Sequence, residues 1–195
     1  MSRSLWSGNR PKNESEAKIR VCKAALECLR RLGLEKTSMS DIAKEAGISR
    51  PTLYKYFTNK NDVLFTAIDM EAHLFAESVV NHARQFSTIE GRIVETIVYV
   101  VEELPKDQNL SIVLNHELAG ALRDRAFTDE ATLVFLDMAA LPLIEIRPDL
   151  ASQGVEIAEI MSRFAISMIL FPGKYSTDYD GLRRLIKKRI LPGLI

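Results

Sequence analysis

Apolar residues recur along most of the chain at spacings of three and four, and nowhere do they alternate over a stretch long enough for a strand. That period belongs to helices with one buried face, and it predicts about nine of them, three short and six longer. The first runs from about Glu14 to Leu32. Asn13 and Glu16 form its N-cap pair, Gly33 its stop, and Ile19, Val21, Ala24, Ala25, Leu26, Leu29 and Leu32 its apolar face. A second starts at Thr37 or Ser38, where Ser38 and Asp41 fit a capping box, and ends at Gly47. A third spans Arg50 to Phe57, capped by Ser49, with Pro51 in the first turn where its missing N–H costs nothing. Asn59 and Asp62 cap a long fourth helix reaching about Ala83.

The later elements follow the same grammar. Ser87 and Glu90 make a capping box for a fifth helix that ends at Pro105. The sixth covers about Leu110 to Leu122, and the seventh begins near Thr128 and should kink or stop at Pro142. The eighth covers about Leu150 to Phe171 before Pro172-Gly173, and the ninth about Tyr179 to Leu191 before Pro192-Gly193. The expected fold is therefore all-α. Three parts suggest themselves: a flexible basic arm over 1–13 with Arg3, Arg10 and Lys12, a small domain over 14–60, and a helical body over 61–195.

Composition narrows this picture. With 195 residues and 47% hydrophobic content, the chain has enough apolar material for a substantial core, which excludes disorder throughout. No apolar run is long enough to span a bilayer, and the polar N-terminal segment lacks the apolar stretch of a secretory signal, so a cytoplasmic protein with no membrane partner is expected. Cys22 and Cys28 are too few for a disulfide scaffold or a zinc site and fit a reducing compartment. Net charge is zero overall but unevenly placed. Residues 1–60 hold 13 Lys/Arg against 6 Asp/Glu, and the rest of the chain holds 13 against 20. A basic N-terminal third joined to an acidic body is the footprint of a small module that binds a polyanion.

The second and third helices, joined by the tight turn Ala46-Gly47-Ile48-Ser49, form a helix-turn-helix whose second member is sized for a major groove. Leu53 and Phe57 lie four apart and should face inward against Ile42 and Ala43. The opposite face then presents Arg50, Thr52, Tyr54, Lys55 and Tyr56, all donors with no acid among them. Arg50 suits a guanine edge, and the Thr52 methyl suits a thymine methyl.

The run Ala24-Ala25, Gly33-Leu34, Thr37-Ser38-Met39, Asp41-Ile42-Ala43, Ala46-Gly47-Ile48-Ser49, Thr52-Leu53-Tyr54, Tyr56-Phe57, Asn59-Lys60 and Leu64 resembles the N-terminal domain of TetR-type transcriptional regulators (the TetR/AcrR family). The resemblance covers residues 18–64 without a gap. Lys18 stands where arginine is frequent, Leu29 where phenylalanine is, and Pro51 where glycine is common. The resemblance implies that Thr37 or Ser38 meets a phosphate, that Tyr54, Tyr56 and Lys60 clamp the DNA backbone, and that Arg50, Pro51, Thr52 and Lys55 lie in or along the groove. It also implies a divergent helical C-terminal domain that binds a small ligand and forms a homodimer.

In that body, Phe75, Tyr99, Phe135, Met138, Met161 and Phe164, with His116 as a polar contact, are candidates to line a pocket for an apolar or amphipathic effector. Ile160, Phe164, Met168, Leu182, Leu185 and Ile186 are candidates for a four-helix dimer interface. The basic run Arg183, Arg184, Lys187, Lys188 and Arg189 reads as a solvated face or as partners for the acidic body. Catalysis, cofactors and metals are not expected: His73, His82 and His116 have no metal spacing, no nucleotide or nucleophile motif is present, and Glu102-Glu103 are adjacent and should point apart. The expected function is a dimeric repressor of a palindromic operator, released by a small ligand. An activator or ligand-independent regulator shares the same DNA module, and a helical small-molecule carrier is the reading from another class.

Overall fold

The computed structural model describes residues 11–111, 133–134 and 136–195. It contains two compact units, Met1–Glu71 and Ala72–Ile195, and the division between them falls inside one long helix. Among the described residues there are eight α-helices and no strand.

The first unit is a three-helix arrangement followed by the start of the fourth helix. Helix α1 is Glu14–Leu32, with the Asn13 side chain accepting the Glu16 N–H at 2.8 Å. Its buried face is Ala17, Val21, Cys22, Ala24, Ala25, Leu26, Cys28 and Leu29. Ile19, expected on that face, is 38% exposed; two residues from Val21, it points about 200° away around the helix. Both thiols are buried, and burial pushes that of Cys22 up to about 12, so these cysteines pack and do not act as nucleophiles.

Helix α2, Met39–Glu45, opens on a full capping box between Ser38 and Asp41. It closes on Gly47, whose φ of +67° places it in the left-handed region where a side chain is disfavoured. There the Ile48 N–H reaches the Ala43 carbonyl at 2.9 Å and the Gly47 N–H reaches that of Lys44 at 3.2 Å, the paired bonds of a Schellman turn. This turn drops Ile48 into the core and hands the chain to Ser49, which caps α3.

Helix α3 is only Arg50–Leu53, shorter than the expected Arg50 to Phe57. After Leu53 the chain tightens, with Lys55 and Tyr56 N–H groups bonding three residues back, before Phe57 returns to the Leu53 carbonyl. Leu53 and Phe57 are buried with Ile42 and Ala43, as the spacing requires. Helix α4, Lys60–Ala83, begins with Asn59 accepting the Asp62 N–H at 3.0 Å, while the Asp62 carboxylate takes the Thr58 N–H at 2.7 Å. In this unit it buries Val63, Leu64, Ala67 and Ile68.

The second unit is built around α5, Ile89–Glu103, which buries Ile93, Val94, Ile97, Val98, Val100 and Val101. Around it lie the end of α4 (Ala76, Val79), α6 (Leu141–Ile144), α7 (Gly154–Leu170) and α8 (Tyr179–Leu185). Of the expected sixth and seventh helices, the stretch from residue 112 to residue 132 lies outside the described residues.

Three boundaries differ from expectation for identifiable reasons. Helix α5 is capped by Thr88, which accepts the Gly91 N–H at 3.1 Å, and not by Ser87. A glycine suits this crowded position, since a Cβ there would sit 3.0 Å from the Thr88 hydroxyl and 3.2 Å from the Phe86 Cβ. Pro142 does not stop its helix: the turn before it, Leu136–Ala140, widens to a π-helical turn and α6 continues to Ile144. A proline without an N–H, crowding the carbonyl four residues back, is accommodated by such a widened turn. Helices α7 and α8 are likewise extended by non-α turns, Pro148–Gln153 before α7 and then Ile186–Ile190 and Leu191–Gly193 after α8.

Two ion-pair groups tie this unit together. The buried Arg92 guanidinium donates to the Phe86 carbonyl at 2.9 Å, to the Pro142 carbonyl, and to Glu145 at 3.0 Å. Glu145 also takes both ends of the Arg84 fork. Three residues further along α5, Glu95 and Arg183 of α8 form a two-point pair at 2.8 and 2.9 Å. Arg84, and then Arg92, hold the Glu145 carboxyl below its ordinary value of 4.5. A carboxyl depressed in the folded state adds stability above its unfolded value, and that stability is lost as pH falls through the folded value. Glu145→Gln is therefore expected to lower the unfolding midpoint by a few degrees at neutral pH, with the difference shrinking below pH 4.5. Thermal unfolding across pH, followed by circular dichroism, checks this; a difference that is constant with pH excludes the charge as its cause.

Candidate nucleic-acid interface and ligand cavity

The donors expected on the α3 face are present together on one surface of the first unit. Arg50, Pro51, Tyr54 and Lys55 are exposed, and Thr52 and Tyr56 are half-buried. The Thr52 hydroxyl shares a hydrogen bond with that of Ser49 at 2.8 Å. Neither Arg50 nor Lys55 pairs with a carboxylate among the described residues. A surface with several donors and no acid is suited to phosphate oxygens and to the acceptor edges of bases.

Two expected phosphate contacts are differently employed. Thr37 is only 3% exposed, and its hydroxyl donates to the Gly33 carbonyl at 2.7 Å. It braces the corner between α1 and α2 and does not face outward. Ser38 is exposed, but its hydroxyl donates to Asp41 at 2.5 Å within the capping box. Lys60 is half-buried and donates to the Leu34 carbonyl at 3.0 Å, tying the first turn of α4 to the same corner. Two of its three ammonium protons remain for another acceptor. Sequence reasoning missed this bracing role, because a loop carbonyl 26 residues away leaves no mark in the pattern.

In the second unit a shallow cavity of about 210 Å³ is lined by Phe75, Ser78, Tyr99, Glu103, Lys106 and Asp107. Phe75 and Tyr99, two of the expected pocket residues, form its aromatic wall with ring centroids 6.3 Å apart. Tyr99 also stacks on His82 at 4.4 Å, and His82 meets Phe86 at 5.5 Å, so the wall belongs to an aromatic cluster between α4 and α5. The polar rim was missed. Glu102 and Glu103, expected to point apart, both reach Lys106, at 3.1 and 2.8 Å, because a lysine three and four residues on can meet either. Met138 and Met161 are buried in the main core, with Phe164 packed against it, and none of the three lines the cavity. His116 and Phe135 lie outside the described residues.

The expected interface residues also separate. Leu182 and Ile186 are 0% exposed and belong to the unit's own core, so they are not available to a partner; Leu185 is partly buried against it. Ile160 is exposed on α7, with Phe164 and Met168 partly buried. The same helix ends at Leu170, which is exposed, and is followed by Phe171, which is 76% exposed and which sequence reasoning took only as the last residue of that helix. Of the basic run, Arg183 pairs with Glu95, whereas Lys187, Lys188 and Arg189 are exposed. Among the described residues no helix is long and apolar enough to cross a membrane, and no group of three or more His, Cys, Asp or Glu is placed to hold a metal ion.

Comparison with known proteins gives this geometry a lineage. Residues 21–67 match the family model described as bacterial regulatory proteins, tetR family. The "Fatty acid metabolism regulator protein" of Bacillus subtilis (strain 168) is 30% identical over 100 residues, 51% of this chain and 52% of that protein. A second relative from the same organism, the HTH-type transcriptional regulator YvdT, is 37% identical over 83 residues, 43% of this chain and 38% of that one. The chain thus spans about half or less of the length of these two curated relatives. Among solved structures, the TetR family repressor AlkX from Dietzia sp. strain DQ12-45-1b, implicated in biodegradation of n-alkanes, superposes with a TM-score of 0.66 at 26% identity, covering 90% of this chain and 95% of that one. A transcriptional regulator FadR from Bacillus subtilis, solved in complex with stearoyl-CoA, shares the fold at a TM-score of 0.53 and 21% identity, covering 86% and 96%. Residues 21–67 thus match the tetR family of bacterial regulatory proteins, and the helix-turn-helix with its Schellman turn and donor face, together with the all-helical body, resembles the fold of TetR family repressors.

Proposed function

We propose that this regulator is a dimeric, sequence-specific DNA-binding repressor whose grip on a palindromic operator is released by an apolar or amphipathic small molecule. The observation that carries the DNA reading is the acid-free donor face of α3 and its flanks, held by the buried pair Leu53 and Phe57. Two such helices, one from each protomer, would enter successive major grooves about 34–36 Å apart. Arg50 reads a base edge; Lys55, Tyr56 and Lys60 hold phosphates; Thr52 offers its methyl to thymine; Pro51 and Tyr54 border the groove; Ser38 sits at the α2 terminus nearest the backbone.

Support for a ligand comes from the aromatic wall of the cavity and from the names of the relatives, which concern fatty-acid metabolism and n-alkane degradation. An aromatic wall with a charged rim suits a molecule with an apolar body and a polar end. A ligand that favours a body conformation incompatible with groove spacing lowers DNA affinity by its preference for that state. Support for the dimer comes from the exposed apolar positions Ile160, Leu170 and Phe171 of α7 and its end. A repeated apolar face of this kind is covered most simply by its own copy across a two-fold axis.

Selection of bound duplexes from a random pool at near-physiological salt tests the core of this reading, and a palindrome with half-sites one turn apart is the expected result. Affinity for it should fall steeply with salt, and Lys55→Ala should weaken binding to all sequences while lowering the salt slope by about one. Lys60→Ala should act likewise, with an added loss from releasing Leu34. A flat salt response excludes phosphate contact as the source of affinity.

Arg50→Ala should behave differently, relaxing preference at one base pair by about tenfold and leaving the other positions as they were. Quantitative binding to singly substituted duplexes reads this directly; equal loss on every duplex removes the base-reading role. For the dimer, Ile160→Asp and Phe171→Asp are each expected to weaken self-association at least about tenfold. Sedimentation equilibrium measures it, and an unchanged dimer moves the interface elsewhere.

A further inference from the structure

Arg50 and Tyr54 stand one helical turn apart on the same face. The Arg50 Nη2 donates to the Tyr54 hydroxyl at 3.3 Å, and its guanidinium carbon lies 5.8 Å from the centre of the Tyr54 ring. Tyr54 is 46% exposed, so its ring is not a core residue that happens to lie nearby. Its backbone is fixed, since its N–H bonds the Arg50 carbonyl at 3.0 Å as α3 closes. The Ser49 and Thr52 hydroxyls bond each other and do not compete for the guanidinium.

We infer that Tyr54 is a positioning residue for Arg50: it holds the guanidinium against its ring and hydroxyl, and so sets base preference instead of clamping the phosphate backbone. This rests on the DNA-binding reading above. A free arginine side chain has several rotors whose ordering opposes binding, and one already resting on a phenol has less to lose. The guanidinium carries five N–H donors, so the one given to Tyr54 leaves a fork for the O6 and N7 acceptors of guanine. The Tyr54 oxygen accepts in this contact, and the ring face adds attraction for the cation. Hydroxyl and ring therefore make separable contributions to one orientation.

The test uses the full-length chain and the duplex that it enriches from a random pool. Arg50→Ala identifies the base pair whose preference depends on the arginine. The ratio of dissociation constants for swapped and preferred base at that pair is then measured for the wild-type chain, Tyr54→Phe and Tyr54→Ala, each with and without Arg50→Ala. Tyr54→Phe, which keeps the ring and loses the hydroxyl, should lower the ratio about two- to fivefold. Tyr54→Ala should lower it further. Ratios at all other positions should stay as in the wild type, and neither change should matter once Arg50 is alanine, which is the coupling expected of residues acting as a unit. Far-UV circular dichroism shows whether each variant is folded, and Tyr54→Phe carries the test if the alanine variant is not. Equal loss on every duplex makes Tyr54 a phosphate contact and overturns the inference, as does an unchanged ratio in both variants. A wild-type chain that prefers no base at any position removes the DNA reading and this inference with it.

Discussion

A helix of four residues cannot sustain itself: isolated helices below about 12–15 residues are marginal in water. Everything that α3 presents therefore depends on restraints supplied from outside it. Ser49 accepts the Thr52 N–H at its start, the i→i+3 bonds of Lys55 and Tyr56 tighten its end, and Leu53 and Phe57 anchor its inner side. The Schellman turn at Gly47 fixes the angle at which it leaves α2. Capping interactions of this type contribute about 1 kcal/mol each, and a buried leucine or phenylalanine about 1.5–3 kcal/mol. Burial thus holds the position of the donor face, and the caps set its direction.

The second unit solves a different problem. Its helices are interrupted, with π-helical turns before Pro142 and after Leu185, and interrupted helices leave carbonyls without their usual partners. Arg92 answers this locally, since its buried guanidinium bonds two backbone carbonyls and Glu145 at once. A buried cation is costly unless each of its donors is used. Here the carbonyls of Phe86 and Pro142 give it that use, and the same bonds join the start of α5 to α6.

What could be read from the sequence follows from the range of the interactions involved. Caps are written within four residues, so Asn13, Ser38, Ser49 and Asn59 were legible, as were the glycine stops and the inward pair Leu53 and Phe57. Ser87 was taken for the cap in place of Thr88 because Glu90 completes a capping box on paper, while the close approach of Phe86 to Gly91 is a matter of packing. Thr37 looked like an outward hydroxyl because its bond to the Gly33 carbonyl belongs to the folded corner. Leu182 and Ile186 share the spacing of an interface stripe, but a stripe records only that residues are buried, not by what. The residues of the aromatic wall, Phe75 and Tyr99, could be picked out from helical phase, although phase alone does not separate a cavity wall from plain core. Its rim at Ser78, Glu103, Lys106 and Asp107 could not, since charged residues at helix ends are ordinary in any sequence.

The same distinction explains why the family model reaches only residues 21–67 although the fold likeness to the Dietzia repressor extends over 90% of the chain. In the first unit nearly every position is constrained individually, by a cap, by a positive φ, by a short inward pair or by the need for a donor. In the body, most positions need only be apolar and of suitable volume, and cores tolerate exchange among such residues as long as patterning is kept. A likeness of fold can therefore extend over positions whose side chains are free to change. On the function proposed above, changing Phe75, Ser78 or Tyr99 would alter the cavity without touching a cap or turn on which α3 depends.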